Sequence, residues 1–229
     1  MTDSTVNRRL LEEGLNILMA RNPDSFYFRD DFIETVERYL DEVEFWNDRV
    51  RLISGDRRDI IIRHFFDSLA AYPAIRSMGK RHMADVGSGN GFPALALLLL
   101  DGSLSCSLIE RGGKKAAFLR NAISLLRLGG RAEVIEMDLK RLSKPYPLII
   151  SRAFMPIRKA YPLIRRTVGA HADIVFYAGT RSGIERELDA LGKSCPENDI
   201  RPAVISLDVP FLPEERHLCI FASGGESSE

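Results

Sequence analysis

The residues of greatest chemical potential in this chain run Asp85-Val86-Gly87-Ser88-Gly89-Asn90-Gly91. Glycines at alternate positions let the backbone turn sharply and let a ligand approach where a Cβ would collide, and the helix after such a loop offers unpaired N–H groups. Glu110 follows roughly twenty residues later at the end of the next apolar run, where a carboxylate can accept both hydroxyls of a ribose. Two kinds of nucleotide-like cofactor share that demand, the nicotinamide dinucleotides and S-adenosylmethionine, and they differ at the loop. The spacing here is G-x-G-x-G after an acid, not the dinucleotide G-x-G-x-x-G. Asp85 is placed to reach a cationic amino group, directly or through water, which suits a methionyl end better than a pyrophosphate. Gly87, Ser88, Gly89, Gly91 and Phe92 complete the expected loop, and Asp138 with Leu139 forms a third expected contact, at the edge of an adenine. Asp138 reads equally well as a solvated turn acid.

Further along, Ser151-Arg152-Ala153-Phe154 offers a planar guanidinium fork and an aromatic face. Arg152 could meet guanine O6 or a phosphate and Phe154 could stack on a base; the alternative pairs Arg152 with a nearby acid and buries Phe154. His64 and Asp67 stand three residues apart and so share a helical face. They form either an acid-base pair or, the favoured reading, a clasp in which Asp67 holds His64 to fix the helix against the glycine loop. Arg57, Arg58 and Arg63, and Lys114, Lys115 and Arg120, are candidate phosphate contacts.

These residues need elements to position them. Phe32, Val36, Leu40, Val43 and Trp46 recur at helical spacing, as do Ile61, Ile62, Phe65, Phe66 and Leu69 in a helix over 59–72 that Pro73 stops, so the first eighty residues read as helical. From Arg81 the character changes. Met83–Val86 is a short strand, the glycine loop follows, and Pro93–Leu100 is an apolar helix whose proline occupies a first turn where a missing N–H costs nothing. Strands Leu104–Ile109, Ala132–Glu136, Leu148–Ser151 and Asp173–Tyr177 alternate with helices Lys114–Leu128, Ile157–Val168 and Ile184–Leu191. Late strands Ala203–Leu207 and His217–Phe221, an antiparallel pair, bring the count to seven. The expected architecture is α/β: a Rossmann-like, mostly parallel seven-stranded sheet over 81–223, with an N-terminal helical extension over 1–80 and an unstructured tail from Gly224 to Glu229.

Composition narrows the classes. Lys and Arg number 32 and Asp and Glu 32, so any nucleic-acid partner must be met by a one-sided distribution of charge rather than by a net basic excess. Met1–Leu10 has no apolar core of a secretion signal, and the longest apolar run, Ala94–Leu100, is far shorter than the roughly 20 residues of a membrane span. A cytoplasmic protein is expected. Cys106, Cys195 and Cys219 are scattered without metal-ligand or disulfide spacing, so they read as small buried hydrophobes and no metal is expected.

Trp46-Asn47, Arg63-His64 with Asp67-Ser68-Leu69, Asp85-Val86-Gly87-Ser88-Gly89 with Gly91-Phe92-Pro93, Gly113-Lys114-Lys115 with Phe118-Leu119, Ser151-Arg152-Ala153-Phe154 and Glu215-Arg216-His217-Leu218 are spread over most of the chain. Together they resemble the bacterial RsmG (GidB) family of 16S ribosomal RNA guanine-N7 methyltransferases. Arg51-Leu52-Ile53, Ala94-Leu95-Ala96, Asp138-Leu139-Lys140 and Ala178-Gly179 stand where that family usually carries Asn-Leu-Thr, a second Gly-x-Pro, Arg-Ala-Glu and Lys-Gly. The resemblance implies a class I S-adenosylmethionine-dependent methyltransferase, a monomer, acting on 16S ribosomal RNA or the small ribosomal subunit. For that reaction the residues read above supply Arg152, His64 and Asp67 as the catalytic candidates and Arg63, Lys114, Lys115, Arg152 and Phe154 as the substrate contacts. Guanine N7 carries an in-plane lone pair and needs no strong base, which fits a chain without a Ser-His-Asp arrangement. The loop at Ser151 also lacks the Pro-Pro-aromatic run of amino-group methyltransferases and the cysteine of a C5-pyrimidine mechanism. The neutral net charge would equally suit a methyltransferase of the same fold acting on a small molecule or protein, and the altered positions a homologue that binds RNA or nucleotide without turnover.

Overall fold

The computed structural model describes residues 3–169, 171–194 and 201–223. The readings made for Cys195 and for the tail from Gly224 lie outside those residues. Helices α1 (Asp3–Arg21) and α2 (Phe32–Val50) open the chain. In α2 the buried side chains Phe32, Val36, Tyr39, Leu40 and Val43 form one stripe at three- and four-residue intervals, which is what drives an amphipathic helix onto a core. It ends at Arg51, in the left-handed region at φ 51° and ψ 62°, whose N–H bonds the Asn47 carbonyl.

The single helix expected over 59–72 is corrected. The chain runs as α3 (Arg57–Ile60), a π-helical turn (Ile61–Phe66) and α4 (Asp67–Ala70), and then starts a new helix, α5 (Tyr72–Ser77). Pro73 does not stop a helix but opens one, because in a first turn its missing N–H would have had no partner. In the π turn, hydrogen bonds reach one residue further than in an α-helix, so residues beyond Phe66 are rotated relative to a regular helix.

Strands β1 (His82–Val86), β2 (Ser105–Glu110), β3 (Ala132–Glu136), β4 (Leu148–Arg152), β5 (Asp173–Ala178), β6 (Ala203–Leu207) and β7 (Arg216–Phe221) form one sheet in the order β3-β2-β1-β4-β5-β7-β6. Every pairing from β3 to β5 is parallel, and β7 runs antiparallel to both neighbours. Between the strands lie α6 (Ala94–Leu100), α7 (Gly113–Leu125), α8 (Ile157–Val168) and α9 (Arg181–Ser194). Strand alternation divides the core into two layers. Met83, Leu148, Ile150 and Val175 face one layer with α1, α2, α6 and α7; Ala84, Val86, Ile149 and Ile174 face the other with α8 and α9. The expected mostly parallel seven-stranded architecture is the one that forms, and Cys106 and Cys219 are buried free thiols within it.

Candidate active site

Strand order reverses between β1 and β4, and in open α/β sheets ligands settle outside the carboxyl ends of strands at such a point. The glycine loop leaves β1 there and Arg152-Ala153-Phe154 leaves β4. Three elements pin the loop. Gly87 and Ser88 donate N–H bonds to the Ile109 carbonyl of β2 at 3.0 and 3.2 Å. The Ser151 hydroxyl of β4 donates to the Val86 carbonyl at 3.0 Å, and the Tyr39 hydroxyl of α2 to the Asn90 carbonyl at 2.7 Å. Gly87 adopts φ 76°, and a Cβ there would come within 2.5 Å of the Phe154 ring, so the turn excludes any larger side chain.

One cleft, about 350 Å³, is lined by Gly87, Gly89, Glu110, Arg111, Lys115, Met137, Asp138, Leu139, Ala153 and Phe154, among others. Glu110 is nearly buried and accepts from the Gly89 N–H at 3.0 Å and the Gly112 N–H at 2.7 Å. An ionised carboxylate has about four lone-pair sites, so those two bonds leave acceptor capacity for a diol. Asp138 accepts from the Lys140 N–H at 2.9 Å, starting the short 3₁₀ turn Leu139–Arg141. Asp85 does not line this cleft. It lies under the loop, 1% exposed, with one carboxylate oxygen lacking any hydrogen-bond partner among the described residues. Burial raises its pKa from 3.8 to about 7, against the opposing pull of Ser88 and Arg152.

A second cleft, about 710 Å³, shares Gly87, Gly89, Lys115 and Ala153 with the first and is further lined by Arg51, Arg63, His64, Ser88, Phe92, Arg152 and Arg216. Its lining holds five cations and no carboxylate. The clasp expected between His64 and Asp67 is not formed. Asp67, fully buried, instead accepts two bonds from Arg216, at 2.7 and 2.8 Å, and a longer one from Arg152 at 3.4 Å. His64 Nδ1 faces Arg152 Nη2, and the π turn accounts for the phase difference between two residues three apart. Burial, then the charges of Arg152, Arg216 and Arg63, push His64 from 6.5 to about 3. Arg152 is itself held below its ordinary value by burial, with Asp67 pulling the other way.

Other expected residues are redistributed. Phe154, expected to stack on a substrate base, lines the first cleft and packs on the core below α8. Phe92, expected at the cofactor, lines the second and rests on Tyr39 at a ring separation of 5.1 Å. Gly91 lines neither cleft; its missing Cβ leaves room for the Tyr39 hydroxyl. Lys114 is exposed outside both clefts, as is Arg58, while Arg57 is held by Asp41 and Glu44 and Arg120 by Glu136. The sequence reading missed Tyr39, Arg51, Ala153 and Arg216 as site residues. Arg216 stands in the last of the family-like motifs, but its partner Asp67 is 149 residues away. A separate cavity of about 440 Å³, lined by Tyr72, Arg76, Lys80 and Asp101, lies at the opposite ends of the strands, away from the switch point.

The same fold is found in the crystal structure of an O-methyltransferase from Bacillus cereus in complex with SAH, with a TM-score of 0.59 over 93% of this chain and 99% of that one at 14% identity. A Rossmann-like sheet with a glycine loop and a second-strand carboxylate around one cleft at the switch point is that of a class I S-adenosylmethionine-dependent methyltransferase. The family model described as rRNA small subunit methyltransferase G, GidB, matches residues 32–218. The ribosomal RNA small subunit methyltransferase G of Treponema pallidum (strain Nichols) is 35% identical over 192 residues, 80% of this chain and 82% of the relative. That of Borrelia turicatae (strain 91E135) is 34% identical over 164 residues, 70% and 78% respectively. The chain belongs to this family, the S-adenosylmethionine-dependent methyltransferases of small-subunit ribosomal RNA.

Proposed function

We propose that this chain transfers a methyl group to N7 of a guanine in 16S ribosomal RNA, working as a cytosolic monomer on the small subunit or its RNA. The observation that carries the reading is the second cleft: it opens beside the cofactor cleft, shares four residues with it, and has five cations and no carboxylate in its lining. Three of the five are paired with Asp67, Glu214 or Asp59, but Arg51 and Lys115 form no ion pair with any described residue, so a chain with no net charge presents unpaired positive charge where a phosphate backbone would lie.

The residues present fit the cofactor. Gly87 and Gly89 bring backbone without side chains to the cleft wall, Glu110 retains acceptor capacity there, and one buried oxygen of Asp85 under the loop has no hydrogen-bond partner among the described residues, so it can accept from a cationic amino group. Glu110 and Asp138 would hold the ribose and adenine, with the backbone from Gly87 to Gly89 against the methionine portion. When bound, S-adenosylmethionine supplies a methyl group activated by a positively charged sulfur.

The chain's own part is positioning. Guanine N7 needs no base, and His64, pushed to about 3 and turned toward Arg152, is a weak one. Arg152 donates from Nη1 to the Arg63 carbonyl and to Asp67, and its Nη2 meets His64. Of its five N–H donors, one on Nη2 and that on Nε have no partner among the described residues and are available to guanine O6. Asp67, His64 and Arg216 therefore hold Arg152 in place. Alignment of this kind, with water excluded, is worth on the order of 7–11 kcal/mol in favourable intramolecular cases.

Small subunits lacking the modification, incubated with the protein and methyl-labelled donor, are expected to carry label in 16S ribosomal RNA as N7-methylguanine. Label at another position of guanine overturns the N7 assignment. Label in a non-RNA acceptor overturns the substrate, and donor binding without any transfer leaves a binding protein instead.

A further inference from the structure

The cations of the second cleft are not equivalent. Arg216 is neutralised by Asp67, which Arg152 shares. Arg63 bonds Glu214 at 2.6 Å and Asp59 at 3.3 Å. Arg51 and Lys115 have neither hydrogen bond nor ion pair from their side chains to any described residue. The two come from elements that lie together: Glu42 of α2 accepts from Asn121 of α7, and Trp46 packs edge-on against Phe118. The sequence order along that contact is antiparallel, so the end of α2, where Arg51 follows, lies toward the first turn of α7, which carries Lys115.

Arg51 also occupies the left-handed region, at φ 51°, where an arginine is disfavoured and asparagine or glycine is tolerated. That turn ends α2, with the Arg51 N–H on the Asn47 carbonyl, and it leaves the side chain on the wall of the cleft with no hydrogen bond or ion pair to any described residue. We infer that Arg51 and Lys115 form a two-phosphate clamp for the RNA strand that presents the target base, and that they carry the salt-sensitive part of its binding while Arg63, Arg152 and Arg216 do not. This rests on the RNA reading given above.

Binding of a short fluorescein-labelled single-stranded RNA with one guanine, followed by anisotropy over a range of salt, tests it. Arg51→Asn keeps the left-handed turn accessible, and Lys115→Gln keeps most of the side-chain bulk. Each is expected to reduce the slope of log K against log salt by about 0.7, the single-strand value per phosphate, and the double variant by about twice that. Arg63→Gln and Lys80→Ala, the latter at the far end of the strands, are expected to leave the slope as it is. Unchanged slopes in Arg51→Asn and Lys115→Gln overturn the clamp, as does an equal loss in Arg63→Gln. No salt-dependent binding by the parent protein overturns the RNA reading itself, a result distinguishable from failure of the clamp alone.

Discussion

Asp85 and His64 flank the glycine loop, and burial acts on them in opposite directions. Burial lifts Asp85 from 3.8 to about 7, and it drives His64 from 6.5 to about 3. Above 3.8 the unfolded chain gives up the Asp85 proton that the folded chain keeps until about 7, so through that window this residue makes stability fall as pH rises. Below 6.5 the unfolded chain binds a proton at His64 that the folded chain refuses until about 3, so this residue makes stability rise with pH. Where the windows overlap, from 3.8 to 6.5, the two slopes oppose each other at about 1.4 kcal/mol per unit each. Asp85→Asn removes one of them. In urea unfolding at a series of pH values, its stability relative to the parent should grow by about 1.4 kcal/mol per unit across the overlap; a difference independent of pH would show that Asp85 is ionised in the folded protein. At this scale the sequence was readable where function depends on local spacing, as with Gly87, Gly89 and Glu110. It was not readable where one residue's environment is set by distant ones: nothing around Asp67 in the sequence points to Arg216.

At the scale of elements, the glycine loop is held from α2 as well as from the sheet. Tyr39 occupies a buried position of the apolar stripe of α2, so in the sequence it looks like any core aromatic; only the fold brings its hydroxyl to the Asn90 carbonyl. Tyr39→Phe keeps the ring against Phe92 and leaves that half-buried carbonyl without its donor, a loss of about 0.5–1.5 kcal/mol. If the loop takes up that cost, calorimetry with S-adenosylmethionine should register roughly tenfold weaker binding, the equivalent of 1.4 kcal/mol. A lowered melting temperature with donor affinity intact would make Tyr39 a packing residue only. Strands were the most readable elements: Ala132–Glu136 and Ala203–Leu207 have the expected bounds, Ser105–Glu110 lies one residue later than expected, and the other four extend by one residue. The helices around Ile61 were less so, because a π turn and an α-helix bury similar apolar runs and Pro73 can close one helix or open the next. Arg216 shows the same limit: a strand's first residue reaches the active edge only because β7 is antiparallel, with His217 paired to Ala178.

For the whole molecule, the change of character near residue 81 marks a boundary in the chain but not in the core. Leu11, Leu15 and Leu18 of α1 and Val36, Leu40 and Val43 of α2 belong to the same apolar cluster as Met83, Leu148 and Val175 of the sheet. Gly14 lets α1 approach so closely that a Cβ there would collide with the Phe66 ring. Glu42 takes hydrogen bonds from both Trp46 and Asn121, tying α2 to α7. Removing the helical extension would therefore expose one side of the sheet and loosen the loop that Tyr39 holds. The protein has a single tryptophan, Trp46, and its ring meets Phe118 across that junction, so its fluorescence reports docking of the extension, whereas far-ultraviolet circular dichroism reports the helices as a whole. With one shared core, the two signals should trace a single cooperative transition in urea, with the same midpoint and slope. A fluorescence midpoint at lower urea than the dichroism midpoint would mean that the extension undocks first, and the layer it forms with the sheet would then be an interface between separable units.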